Sequence, residues 1–219
     1  MIPIWLAHRQ LIVSKQEPYY GIRYTYTGNH KNVVDKETRT QTIDLLSSGT
    51  FTLLSDPVTV SIAAQGARGG NGGSVTVYEG TKIHLASGGA GGYGYVKKNT
   101  SYELLNTTEY IIEIGSRTNG NSINRMLSGS VSTTFTGGTA TVGDATIAFG
   151  LTANGGNPGT PGSITVSTTG GSSSATGETT YTYTVTVKNG TDGSGSTEAA
   201  QINANSFSGL VRIIYQWSE

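Results

Sequence analysis

The sequence predicts an all-β protein, an antiparallel β-sandwich with glycine-rich, polyproline-II-like loops. Three observations carry that prediction. Short stretches alternate apolar and hydroxyl residues at period two, as in Val58-Thr-Val60-Ser-Ile62-Ala-Ala64, which places one row of side chains in a core and the other in solvent. Turn signals recur at close spacing between such stretches, the habit of sandwiches and barrels. No window shows a convincing helical period; the nearest, residues 198–202, is too short to stand alone.

Residues 1–47 differ from the rest. They hold only two glycines, Gly21 and Gly28, and a concentration of charge at Lys31, Asp35, Lys36, Glu37 and Arg39. The chain therefore divides into an N-terminal attachment arm or strand, 1–47, and a glycine-rich β-sandwich domain, 48–219. The apolar start offers Ile2, Ile4, Trp5 and Leu6 as anchors in a partner chain, or as the first strand of the protein's own sandwich. Residues 21–27 read as a strand with Ile22, Tyr24 and Tyr26 on one face; 29–41 reads as a polar turn or short arm leading to a strand over 42–46.

The next strands are 49–53 and 58–64, with Val58, Val60, Ile62 and Ala64 facing inward, then 74–78 and 81–85, joined by a tight turn at Glu79-Gly80. Residues 99–106 read as a loop and 110–114 as a strand. Strands follow at 131–135, 139–142 with a turn at Gly143-Asp144, and 146–149. Residues 168–179 have the Gly, Ser and Thr composition of a flexible linker or loop. After them Thr180-Tyr181-Thr-Tyr183-Thr-Val185-Thr-Val187 alternates without a break, and Asn189-Gly190 or Asp192-Gly193 turns the chain toward a closing strand over 210–217.

The glycine clusters do not fit the strand pattern, since glycine loses most backbone entropy on ordering and offers nothing to pack. They are either flexible loops or close backbone packing. Paired glycines at Gly66, Gly69, Gly70, Gly72 and Gly73, and again at Gly88, Gly89, Gly91 and Gly92, allow extended left-handed segments with three residues per turn, lying side by side where a larger residue would clash. Residues 154–162, with Gly155 and Gly156, are a third piece of that lattice, a tip loop or a plain surface turn.

Together the Gly49-Thr-Phe51-Thr strand, the Val58-Thr-Val60-Ser-Ile62 strand, the glycine clusters and the closing Leu210-Val-Arg-Ile-Ile-Tyr215 resemble the glycine-rich domains of bacteriophage tail fibres and related virion adhesion proteins. Tyr110-Ile-Ile-Glu-Ile114-Gly115, Ser132-Thr-Thr-Phe135-Thr-Gly137-Gly138 and Leu151-Thr-Ala153-Asn-Gly155-Gly156 resemble that family in order, and the likeness covers 49–217. It departs in its short glycine clusters, in Arg68 and Asn71, which interrupt the first, and in the Ser and Thr that dilute 170–189. The resemblance implies attachment through one end, here 1–47, and glycine-bounded loops at 66–73, 88–95 and 154–162 presented at the other.

Composition narrows the classes. Hydrophobic content is 35% and charged content 13%, with 32 glycines and 12 tyrosines, a β-rich surface-type protein and not simple disorder. Net charge is zero, so no long-range field draws the chain to nucleic acid or an anionic membrane. There is no cysteine, hence no disulfide or thiolate metal site. The N-terminal apolar run is too short for a secretory signal or a membrane span, so the expected localisation is the virion: made in the host cytoplasm without a signal peptide and released in the particle.

The search for catalytic residues is negative. His8, His30 and His84 are isolated, no G-x-S-x-G elbow occurs, and residues 66–74 lack the lysine of a phosphate loop. The expected protein is not an enzyme and has no catalytic residue, metal or cofactor. Binding is the positive case. Arg68, Asn71, Tyr78, Tyr93, Tyr95 and Tyr102 lie in or near glycine clusters, where amphipathic rings beside bare backbone suit sugars or protein loops; the same tyrosines also suit half-buried strand positions. The expected function is a structural or adhesive component of a phage tail or tail-like particle, a tail fibre or receptor-binding tip contacting the host surface. The alternatives are a purely structural virion protein (head fibre, decoration or baseplate component) and a polysaccharide-active enzyme. Expected partners are other virion proteins and host surface polysaccharide or protein, with a homo-oligomer, a trimer by analogy with fibres, as the assembly.

Overall fold

A computed structural model describes residues 20–177 and 179–218; the anchor residues Ile2, Ile4, Trp5 and Leu6 lie outside them. The fold is all-β and sandwich-like, with no α-helix among the described residues and a single 3₁₀ turn at Glu198–Ala200. Among the described residues no helix is long and apolar enough to cross a membrane.

The strands fall into two groups at opposite ends of a glycine stem. The base contains β1 (Tyr24–Tyr26), β2 (His30–Asp35), β3 (Thr40–Leu45), β4 (Gly49–Leu53) and β5 (Val58–Gln65). The distal cap begins with β6 (Val75–Glu79) and β7 (Lys82–Ala86). The chain returns to the base for β8 (Val96–Leu104) and β9 (Glu109–Ile112), and crosses again for β10 (Ile123–Met126) and β11 (Ser132–Thr136). The base hairpin β12 (Thr146–Ala148) and β13 (Leu151–Ala153) precedes the cap strands β14 (Ser163–Ser173) and β15 (Thr179–Lys188), and β16 (Leu210–Gln216) closes the base.

In the base, a five-stranded sheet ordered β2-β3-β16-β5-β8 faces a three-stranded sheet ordered β1-β4-β9. Alternation along each strand sends Ile43, Leu45, Val60, Ile62, Ala64, Val211 and Ile213 from one sheet, and Phe51, Leu53, Tyr110 and Ile112 from the other, into a shared core. Phe149 plugs it, its ring 5.0 to 5.8 Å from those of Phe51, Tyr102 and Tyr110. The β12-β13 hairpin that delivers Phe149 turns with positive φ at both central residues, 51° at Phe149 and 74° at Gly150.

The cap is a smaller sandwich. Val75, Val77 and Ala86 of the sheet β10-β6-β7 pack on Ile164 and Val166 of the sheet β11-β14-β15. The β14-β15 hairpin runs on past the end of β11, from Thr168 to its turn beyond Ser173, with a register shift between Thr168 and Gly170.

Six extended segments join the two ends: I (66–74), II (87–95), III (115–122), IV (137–145), V (154–162) and VI (189–196). Their backbone bonds recur every third residue, the repeat of polyproline II. Gly66, Gly69 and Gly72 donate to the carbonyls of Tyr95, Gly92 and Gly89, while Gly156, Gly159 and Gly162 donate to those of Ala67, Gly70 and Gly73. The full set of bonds arranges the segments as two staggered rows, III-I-II over IV-V-VI, with I resting between IV and V, and II between V and VI. Odd-numbered segments run from base to cap and even-numbered ones return, so the chain makes three round trips. At the polyproline II rise, eight residues hold the β layers about 25 Å apart.

Four stretches differ from the strand and loop expectation, and three more from the placement that the resemblance implies. Residues 29–41 contain β2, an edge strand exposed at all six positions, so pairing with β3 and not burial makes it a strand. Residues 99–106 mostly belong to β8, another edge strand, whose alternation is blurred by a bulge opposite Val60 and Ile62. Residues 139–142 are lattice and not strand, because Gly138 and Gly143 on either side pack on backbone. The described residues of 168–179 belong to the projecting hairpin and not to a linker. The stretches 66–73, 88–95 and 154–162 run the length of the stem and not across a free end.

Residues 20–47 are built into the base, β1 pairing with β4 and β3 with β16. The ring of Tyr20, the first described residue, lies 6.2 Å from that of Trp217. Both sit at the edge of the base furthest from the stem, since β16 starts opposite Gln65 and runs away from it.

Candidate contact face

Why side chains gather on one side of the stem follows from its three-residue period. In segment I two of every three positions are enclosed by neighbouring backbone: a Cβ on Gly69 or Gly72 would meet the carbonyl of Asn157 or Thr160, and one on Gly70 or Gly73 that of Thr118 or Asn121, all closer than 3.0 Å. The third position, Arg68, Asn71 and Ser74, faces outward. Segment II repeats the pattern with Ser87, Ala90 and Tyr93. Arg68 and Asn71 therefore occupy the positions the lattice leaves open.

The row III-I-II carries a ladder of cations and rings. The Arg68 guanidinium carbon lies 4.2 Å from the Tyr93 ring centroid and 5.7 Å from that of Phe207, and the Arg117 guanidinium carbon lies 4.2 Å from the Phe207 centroid. Arg68 Nη2 donates to the Gly91 carbonyl at 3.1 Å and Arg117 Nη1 to that of Gly69 at 3.2 Å, so each arginine spans from its own segment to the next. Asn71 Oδ1 accepts from the Gly91 N–H at 3.0 Å, and Asn119 Oδ1 from the Asn71 N–H at 2.9 Å. The ionic groups feel each other. Burial first, and then the positive charge of Arg68, lower the pKa of Arg117 from its ordinary value.

The remaining sequence candidates lie elsewhere. Tyr95 is exposed at the base end of segment II. Tyr78 is on the outer face of the cap sheet, opposite Ile83 and Met126. Tyr102, half-buried, packs against Tyr110 and Phe149 beside the base core. Sequence reasoning missed Arg117, Asn119 and Phe207, which reach the face from segments or loops 46 or more residues away from their partners in segment I. The signal that could have found Arg117 and Asn119 is the lattice period itself, extended to a segment with few glycines.

On the outer face of the five-stranded sheet a shallow groove is lined by Ser61, Ala63, Lys98, Thr100, Arg212 and Ile214. Its arginine is committed: Arg212 Nε and Nη2 donate to the two oxygens of Asp44 at 2.6 and 2.8 Å. Among the described residues no group of three or more His, Asp or Glu side chains is placed to hold a metal ion. No protein-family model, curated protein or solved structure matches the chain.

Proposed function

We propose that the protein is a structural and adhesive component of a phage tail or tail-like particle, fixed through the base and contacting the host surface with its stem and cap. One observation carries this reading: three round trips through a glycine lattice hold a small β cap away from the end where the described chain begins and finishes. Backbone-to-backbone packing makes a stiff spacer without disulfides or a wide apolar core, which suits a part that must keep its shape outside a cell. The resemblance to glycine-rich virion domains points the same way.

Competition tests it. Purified protein added to host cells should reduce adsorption of the particle that carries it, in proportion to dose. A variant in which residues 170–181 are replaced by a two-residue turn keeps the base, the stem and the paired part of the cap, and should compete less well. A folded full-length protein that leaves adsorption unchanged contradicts host contact and favours a purely structural place in the particle.

A further inference from the structure

The stem face holds two guanidinium groups without a carboxylate partner. Among the described residues the ion pairs join Lys82 and His84 to Glu79 and Arg212 to Asp44; none includes Arg68 or Arg117. The two guanidinium carbons are no further apart than the 5.7 and 4.2 Å that separate each from the Phe207 centroid taken together. The two like charges repel across this partly buried surface, and an anion bridging them would offset that repulsion. Each guanidinium has five N–H donors; Arg68 Nη2 is held by one carbonyl, and Arg117 Nη1 by a carbonyl and, at 3.5 Å, by Asn71 Oδ1.

The surroundings select the kind of anion. The side-chain oxygens of Asn71 and Asn119 are used on backbone N–H groups, which leaves their amide nitrogens as further donors at exposed positions. Phe207, 53% exposed, and Tyr93 supply apolar ring surface beside the cations. The face is open, so an extended ligand can lie along it. Two charges on a chain of zero net charge are too few for the phosphate tracking of nucleic acid. A flat, hydroxyl-rich chain with carboxylates meets all these groups, because the planar fork of arginine matches a carboxylate and ring surfaces stack on sugar faces.

We infer that Arg68 and Arg117 form a carboxylate site for an acidic saccharide on the stem face, flanked by Asn71, Asn119, Tyr93 and Phe207. This rests on the host-contact reading and names the class of surface molecule bound.

The test is calorimetric titration of the whole protein with oligogalacturonate, with maltooligosaccharide of equal length and inorganic phosphate as controls. Oligogalacturonate should bind, more weakly as salt rises, and neither control should match it. Arg117→Gln should weaken binding about tenfold, the scale of one charge-assisted contact. Asn119→Asp keeps the acceptor for the Asn71 N–H and places a negative charge on the face; it should weaken binding to a similar degree and serves as the second variant if Arg117→Gln unfolds. Absence of binding by the wild type, equal binding of the neutral oligosaccharide or of phosphate, or unchanged affinity in both variants overturns the inference. Adsorption competition separates the two levels. Competition that survives without oligogalacturonate binding removes this site alone, whereas binding without competition removes the host-contact reading.

Discussion

Adding one methyl group at Gly91 should loosen the stem. A Cβ there would stand on the carbonyl of Gly69, with that residue's carbonyl carbon also closer than 3.0 Å, and backbone has no rotamer by which to yield. Segments I and II must part, and two bonds flank the insertion: Gly69 N–H to Gly92 O at 2.9 Å and Gly91 N–H to Asn71 Oδ1 at 3.0 Å. Losing each costs about 1 kcal/mol net, and overpacking a closed site adds about 1–3 kcal/mol. Gly91→Ala is therefore expected to cost about 3–5 kcal/mol, or roughly 10 °C in melting temperature for a chain of this size. Gly170→Ala is the control, because nothing lies within 4 Å of a Cβ at that position and its φ is not positive. Thermal unfolding followed by circular dichroism reads both. A Gly91→Ala melt within a degree or so of the Gly170→Ala melt refutes the backbone-contact argument.

Three further outcomes are expected. Phe149→Ala, emptying the space among Phe51, Tyr102 and Tyr110, should cost about 3–5 kcal/mol in a urea titration, and a cost below about 1 kcal/mol would place the ring outside the working core. Asp44→Ala leaves the half-buried Arg212 unpaired and should cost about 1–2 kcal/mol after discounting for solvent screening, with no change in the stem. Burial pushes the Tyr26 hydroxyl up to about 12 from an ordinary 10. Above pH 10 the unfolded state gives up that proton while the folded state keeps it, so this contribution to stability is complete below pH 10 and is lost as pH rises toward 12. Tyr26→Phe should show a smaller alkaline loss than the wild type across that window; an identical pH profile would contradict the assignment.

The legible parts of the fold are those where burial writes a period into the chain. Val58 to Ala64 and the closing stretch around Ile213 declare themselves because one face is in a core. The edge strands β2 and β8 do not, because hydrogen bonds to a neighbour hold them while their side chains stay in solvent, and backbone pairing leaves no mark on side-chain choice. Threonine hides another difference. Thr139-Ala-Thr-Val142 alternates like a strand, yet the lattice position is fixed by glycines outside the window.

The stem was half legible. Gly66, Gly69 and Gly72 show the three-residue interval, but segment III has only Gly115 and Gly120, so its membership depends on partners far away in sequence. For the contact face, Arg68, Asn71 and Tyr93 were readable as residues set among glycines. Phe207 was not, since it arrives by a loop whose path is fixed by the bond from Arg68 N–H to its carbonyl.

Backbone hydrogen exchange tests the lattice most directly. The amides of Gly69, Gly72, Gly92, Gly156 and Gly159 each donate to a neighbouring segment at 2.9 to 3.0 Å. They should exchange as slowly as those of the base strands around Ile62 and Ile213, and far more slowly than those of the exposed hairpin near Gly177. Exchange of these glycine amides at the rate of an unstructured loop, with the base amides still protected, would contradict an ordered stem and the spacing of base and cap built on it.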